Sequence, residues 1–95
     1  MMKDLQARFL PRFVSTAGER LCRIDGLLAQ GQTGAVAAEL HSLAGEASML
    51  GLDQVADPAR AGEIAARRGD RPALTGSLGT ITRLVQDLGA AAPPA

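Results

Sequence analysis

Histidine is the side chain best suited to group transfer near neutral pH, and this chain of 95 residues contains one, His41. A neutral imidazole can act as a nucleophile or as a metal ligand. Cys22 does not complete a metal-ligand set with His41, and Glu39 and Glu46 lie at poor spacing for joining it. A hydrolytic triad has no supporting constellation either. We therefore expect no metal site at His41, and these residues alone leave the chemistry of the imidazole open.

The apolar spacing around His41 predicts the direction of its ring. At about 100° per residue, the apolar side chains of this segment cluster within roughly 40° of a common direction, and His41 points about 140° away from it. We therefore expect an imidazole that projects outward from the folded core. The apolar stripe consists of Val36, Leu40, Leu43, Ala47 and Leu50.

The residues near His41 in the sequence are small, although an exposed helix face usually carries long polar side chains. Gly45, one turn after His41, should cost about 1 kcal/mol relative to alanine. It leaves room beside the ring for a phosphoryl group and the active site of a partner. The alternatives are an incidental surface histidine and a glycine that permits close helix packing. The small residues that we expect near the partner are Gly34, Ala37, Ala38, Ser42, Ala44, Gly45 and Ser48.

The rest of the chain has the same helical period, which predicts four amphipathic segments at about 3–30, 33–50, 53–68 and 71–89. Four such helices joined by short turns favour an all-α fold, an antiparallel four-helix bundle with up-down-up-down topology. The stripe of the first segment is Leu5, Phe9, Phe13, Ala17, Leu21, Ile24 and Leu28, with Leu10 and Val14 beside it, either exposed or part of a broader core. The third has a thin apolar face of Leu52, Val55, Ala59 and Ala66, and the fourth has Leu74, Leu78, Ile81, Leu84, Val85 and Leu88.

Two prolines lie inside predicted helices. Pro11 should kink the first helix or divide it into a short lead-in and a main helix. Pro58 allows either a kinked third helix from Asp53, which we favour slightly, or a later start with Asp57 as the N-cap. Thr33 is a candidate N-cap for the second helix.

The predicted helix ends follow from turn residues. Gly51 and Gly69 should stop the second and third helices, and Asp70 or Arg71 with Pro72 should start the fourth. The final GAAAPPA should be frayed. We expect one domain over residues 1–90 and a disordered tail over 91–95.

Composition excludes several classes of function. Ten acidic and ten basic residues balance, so no charge excess indicates nucleic acid or an anionic membrane as a partner. Phe9 and Phe13 are the only aromatic residues, and no apolar run approaches the ~20 residues of a membrane span. Cys22 is expected to be a buried thiol in a reducing compartment, and the N-terminus lacks the apolar run of a signal peptide. These features favour a cytoplasmic protein.

The segment from His41 to Gly51 resembles the signature of the histidine-containing phosphotransfer (HPt) domain family. That signature has a histidine, a leucine two residues later, then lysine-glycine, and a glycine about ten residues after the histidine. His41, Leu43, Gly45 and Gly51 match it in register. The resemblance extends along the chain, because residues 5–28 look like the first helix of the family and 63–70 like the close of its third.

The resemblance implies a phosphorelay intermediate in which His41 exchanges a phosphoryl group with receiver-domain aspartates. It implies response-regulator receivers and a sensor or hybrid histidine kinase as partners, no ATP site and no cofactor of its own. We also expect a monomer, and the composition rich in alanine, glycine and arginine favours a bacterial source. Ala44 departs from the signature by replacing its lysine. Another cation would then serve, and Arg12, Arg67 and Arg68 are the candidates.

Two other hypotheses remain from the sequence. One is an interaction protein of the same fold that regulates a kinase or receiver by binding, without transferring phosphate, which the missing lysine at Ala44 favours. The other is an unrelated helical adaptor in which His41 is incidental. Exposure of the phosphorylated receiver to the protein, followed by detection of an acid-labile label, separates the first from a relay.

Overall fold

A computed structural model describes residues 2–91, apart from the side chains of residues 2, 3 and 5. The described chain forms four helices and no strand, as predicted. The helices are α1 (Met2–Ala29), α2 (Thr33–Met49), α3 (Asp53–Arg68) and α4 (Arg71–Ala91). The fold is an all-α antiparallel four-helix bundle with principal extents of 39 × 20 × 17 Å.

The helices pack in a ring in chain order, which gives each helix two neighbours. α2 packs against α1 and α3, and α4 packs against α3 and α1. Within residues 2–91, no Cα atoms of the diagonal pairs α1/α3 and α2/α4 lie within 8 Å of each other. α2 therefore presents two seams to solvent, one shared with α1 and one shared with α3.

The predicted apolar stripes form the core between the helices. In α2, the first four stripe positions are fully buried and Leu50 is half-buried. Leu10 and Val14 pack against the core, so the broader-core alternative for α1 is correct. Phe9 was placed in the stripe but is 40% exposed, and the side chain of Leu5 lies outside the described residues. The larger core residues are Phe13, Ile24, Val36, Leu40, Leu43, Leu52, Val55, Leu74, Ile81 and Val85.

Neither proline ends a helix. Pro11 lies within the continuous α1, so the predicted division into two helices is wrong. α3 begins at Asp53, so the later start at Asp57 is also wrong. The carbonyl of Leu52 accepts hydrogen bonds from the amides of Val55 and Ala56, at 3.0 Å each, and closes the first turn before Pro58 is reached. Packing of the apolar face then offsets the one donor that proline lacks.

Glycines end α2 and α3 as predicted. Gly51 and Gly69 have φ of +71° and +70°, a left-handed conformation that only glycine adopts without strain. The next amide then bonds back into each helix: the Leu52 amide donates to the Ala47 carbonyl at 2.8 Å. These turns reverse the chain and place α3 directly beside the exposed edge of α2.

The helix starts agree less well with the sequence. Gln32, and not Thr33, occupies the N-cap of α2, and no side chain caps that helix. Asp70 does act as a cap for α4, because its carboxylate accepts a hydrogen bond from the Ala73 amide at 3.2 Å. α4 continues to Ala91, two residues beyond the predicted end of the fourth segment, and residues 92–95 of the predicted tail lie outside the described part.

Two surface features bear on the predicted environment of the protein. Cys22 is exposed, so the expectation of a buried thiol is wrong. None of the helices in the described range is long and apolar enough to cross a membrane.

Candidate functional site

His41 lies in the middle of α2 and its ring faces solvent. Its side chain is 74% exposed, while the preceding residue, Leu40, is fully buried. The outward direction that the apolar stripe predicts therefore agrees with the structure. The imidazole is neither buried nor enclosed by neighbouring side chains, and either arrangement would exclude transfer chemistry.

The small residues around His41 divide into two groups. Gly34, Ala38, Ser42, Gly45 and Ser48 are exposed on α2 as predicted. Ala37 and Ala44 are buried, so the expectation that they lie on an open surface is wrong. α2 packs against helices on two sides, which buries a wider arc than one apolar stripe indicates. Ala44 nevertheless lines the depression beside the imidazole.

Gly45 leaves open space next to the histidine. A Cβ atom built at this position would meet no other atom within 4 Å. Close helix packing, the alternative reason for a glycine here, therefore does not apply. The open space allows a bulky group to reach the imidazole from this side.

Glu63 of α3 holds the imidazole from the other side, a contact that the sequence did not predict. His41 Nδ1 lies 3.2 Å from Glu63 Oε1. The second carboxylate oxygen, Oε2, accepts two hydrogen bonds from Arg67, at 3.0 Å from Nη2 and 3.2 Å from Nε. Glu63 thus bridges His41 and Arg67, and each of its oxygens has a partner.

The charge on Glu63 decides which ring nitrogen is free. The hydrogen bond from Arg67 lowers the pKa of Glu63, partial burial opposes this, and the contact with His41 lowers the pKa further. The carboxylate is therefore ionised near neutral pH and can only accept hydrogen bonds. In the neutral imidazole, Nδ1 must then carry the proton, and its N–H donates a hydrogen bond to Glu63. Nε2 keeps its lone pair, and no hydrogen bond among the described residues involves it.

A depression of about 370 Å³ lies beside the imidazole, between α2 and α3. His41, Ala44 and Gly45 line it from α2, and Arg60 and Glu63 line it from α3. Arg60, like Glu63, was missed by the sequence analysis. The depression therefore combines a nucleophile, open space and a cation.

None of the three arginines proposed from the sequence as substitutes for the family lysine lines this depression. Arg12 lines a groove between α1 and α2, Arg67 is bonded to Glu63, and Arg68 is exposed outside the depression. The periodicity of α3 could have indicated Arg60 and Glu63, because positions 60, 63 and 67 share one helix face. The phase of that face relative to α2 was not available from the sequence.

The second seam of α2 carries an apolar groove of about 510 Å³. Its two exposed apolar side chains are Phe9 on α1, at 40%, and Met49 on α2, at 79%. Met49 lies eight residues after His41, about 12 Å along the helix axis. The groove is lined by Phe9, Arg12, Phe13, Thr16, Glu46, Met49 and Leu50.

The acidic residues of α2 do not form a metal site. Glu39 accepts a hydrogen bond from Arg20 at 2.8 Å, and Glu46 accepts two from the same guanidinium, at 3.0 and 3.2 Å. Among the described residues, no group of three or more potential ligands could hold a metal ion.

Together these features define a four-helix bundle with an exposed histidine on its second helix. The family model of the Hpt domain matches residues 8–91, which is most of the chain. The chain therefore belongs to the Hpt domain family, whose members carry out histidine phosphotransfer in two-component systems with receiver domains and kinases. The comparisons with curated proteins and with solved structures gave no match.

Proposed function

We propose that this protein is a phosphorelay intermediate that accepts a phosphoryl group on His41 from one receiver-domain aspartate and donates it to another. The observation that carries the proposal is the exposed imidazole, whose Nδ1 is held by Glu63, together with the open space at Gly45 one turn along the helix. A sensor or hybrid histidine kinase supplies the phosphoryl group at the start of such a relay. Since receivers and their kinases meet in the cytoplasm, the proposal places the protein there.

The transfer step is a displacement at phosphorus. The lone pair of His41 Nε2 attacks the phosphorus of the aspartyl phosphate, the N–P bond forms, and the P–O bond to the aspartate breaks. The aspartate leaves as a carboxylate with the electron pair. Positioning and charge neutralisation carry the rate of such a step, so the chain needs no cofactor of its own.

Glu63 acts in this step as a positioning residue. The attack leaves positive charge on the ring, with the proton still on Nδ1. The Glu63 carboxylate, 3.2 Å from Nδ1, stabilises that charge and keeps the ring in the required tautomer. Arg67 keeps Glu63 ionised and orients its second oxygen.

The docking surface surrounds the ring on α2 and extends toward α1. Gly45, Ser42, Ser48 and Ala38 are exposed with short side chains, so a partner can approach the imidazole closely. The exposed apolar side chains at the α1–α2 groove, Phe9 and Met49 among them, give a protein partner an apolar surface to bury. We propose that one copy of the protein is sufficient for transfer.

The test is transfer of a radioactive phosphoryl group from a phosphorylated receiver to the protein and to its His41→Gln variant. The wild type should acquire an acid-labile label, and the variant should acquire none. Because the side chain is exposed, the variant should retain the thermal midpoint of the wild type. Labelling of the variant would show that another residue accepts the group.

The second candidate is a protein of the same fold that binds a receiver or kinase without transferring phosphate. The replacement of the family lysine by the buried Ala44 favours it. The same experiment separates the two functions when binding is measured in parallel. Receiver binding by calorimetry without any label on the wild type would support this second function.

A further inference from the structure

We propose that Arg60 binds the phosphoryl group once it is on His41 and neutralises its charge. The inference rests on the proposed function and deepens it, because it assigns the cation of the same site. Sequence comparison with the family signature does not indicate this residue, which lies on a different helix from the histidine.

Position comes from the packing of α3 against α2. Arg60 and His41 line the same depression, together with Gly45 and Ala44 at its α2 edge. Arg60 precedes Glu63 by three residues, so both lie on the face of α3 that flanks the imidazole. Glu63 occupies Nδ1, which leaves the Nε2 side of the ring for the phosphoryl group.

The Arg60 guanidinium is more readily available to bind a ligand than that of Arg67 on the same helix. The Arg60 guanidinium has one ion-pair partner in the described structure, Asp57, at the long distance of 3.5 Å with both side chains exposed. An exposed pair of this kind is worth little and is easily exchanged. Arg67 instead makes two hydrogen bonds to Glu63 that its departure would break.

Charge makes a cation necessary. A phosphoryl group brings close to two negative charges near neutral pH, and here it would lie beside the ionised Glu63 carboxylate. A guanidinium presents a planar fork of donors that matches phosphate oxygens. The short side chain of Ala44, which stands where the family signature has lysine, leaves the space between α2 and α3 open to Arg60.

The test compares Arg60→Ala, Arg60→Lys and Arg68→Ala. Arg68 is an exposed arginine of the same helix outside the depression, so Arg68→Ala is a matched loss of charge. Each protein is labelled with phosphoramidate, a small donor that requires no receiver, and the label is followed by ³¹P NMR. We expect Arg60→Ala to shorten the lifetime of phosphohistidine about fivefold, Arg60→Lys to retain most of it, and Arg68→Ala to match the wild type.

A second variant distinguishes phosphoryl binding from a merely structural role. Ala44→Lys combined with Arg60→Ala returns a cation to the depression from α2, and it should restore the lifetime. The pKa of the phosphoryl group, read from its ³¹P shift, should rise in Arg60→Ala and return in the double variant. Equal lifetimes and phosphoryl pKa values in Arg60→Ala and Arg68→Ala would overturn the role of Arg60 alone. A wild type that labels neither with phosphoramidate nor from receivers would overturn the proposed function itself.

Discussion

α2 takes part in two clusters of charged residues, one where it packs against α1 and one where it packs against α3. The two clusters contain similar residue types, but one is closed to a ligand and the other is open. On the α1 side, Arg20 joins Glu39 and Glu46, which we call the Arg20 cluster. On the α3 side, Glu63 joins His41 and Arg67, which we call the His41 cluster. Both clusters connect two helices through a carboxylate.

The Arg20 cluster is closed. The Arg20 side chain is only 12% exposed, and both of its terminal nitrogens bond to carboxylates. Glu39 is bound a second time by Arg23, at 3.3 Å. These charges neutralise one another, and the guanidinium is largely out of reach of a ligand. The cluster fixes α1 against α2.

The His41 cluster is open. Nδ1 of the ring is held by Glu63, Nε2 has no hydrogen-bond partner among the described residues, and the space at Gly45 is open. Arg60, at the edge of the same depression, is bound by a single weak ion pair. Charged residues between helices therefore become a candidate site when their hydrogen bonds orient a nucleophilic side chain and leave one of its atoms without a partner.

The largest effect is expected from a variant that fills the open space of the His41 cluster. Gly45→Glu puts a charged side chain into the empty space beside the ring. It should lower transfer from a receiver by about a hundredfold or more, since displacement of the reacting atoms by about 1 Å has effects of that size. The transfer rate is measured by mixing each protein with a phosphorylated receiver and stopping the reaction at successive times.

Gly76→Glu provides the matched control for this variant. Gly76 is an exposed helical glycine of α4, also with nothing within 4 Å of a built Cβ, and no described Cα atom of α4 lies within 8 Å of one in α2. It introduces the same side chain into a helix without approaching His41. Equal transfer rates in Gly45→Glu and the wild type would contradict the steric role of Gly45.

A smaller effect is expected from removing the charge that orients the ring. Glu63→Gln keeps an oxygen acceptor for Nδ1 but loses the negative charge, and should slow transfer about tenfold. Glu63→Ala loses both and should be slower still. Glu39→Gln, which changes a carboxylate of the closed cluster, is the control and should transfer at the wild-type rate. If Glu39→Gln is slowed as much as Glu63→Gln, the two clusters do not differ as described.

The fold and the exposure of His41 were predictable because each depends on a local period. The apolar residues of α2 and of α4 stay on one face along each helix, and glycines mark the ends of α2 and α3. The start of α4 at Asp70 or Arg71 was predictable for the same reason, and the cap that Asp70 forms joins residues only three apart in sequence. Such features follow from neighbouring residues alone.

The chemistry on the α3 side was not predictable for a different reason. Glu63 reaches His41 only because α3 packs with one particular rotation against α2, and the thin apolar face of α3 fixes that rotation weakly in sequence terms. Ala37 and Ala44 were misplaced on the same side, because burial by a second neighbour widens the covered arc. The errors therefore concentrate where two helices must be placed together.

A smaller effect, on the free energy of unfolding, is expected from a variant of the Arg20 cluster. Arg20→Leu should lower the free energy of unfolding by about 1–2 kcal/mol, because Glu46 loses its cation and must turn to water, while Glu39 keeps only the longer contact with Arg23. Chemical denaturation followed by circular dichroism measures the change. Phosphoryl transfer at low temperature, where the variant is folded, should stay at the wild-type rate. A transfer defect in the folded variant would connect the Arg20 cluster to the site.

The smallest expected effect is the dependence of stability on acid pH. Arg67 holds the pKa of Glu63 below its ordinary value of 4.5, so the ionised carboxylate contributes stability above that pH. The contribution is lost as pH falls through the lowered pKa of the folded protein. The wild type should therefore exceed Glu63→Gln in unfolding free energy near pH 7 by less than about 1 kcal/mol, and the difference should vanish in acid. Urea unfolding of both proteins between pH 7 and pH 3 measures it. A difference that grew in acid would show that the carboxylate destabilises the fold, and that only its neutral form suits the contact with His41.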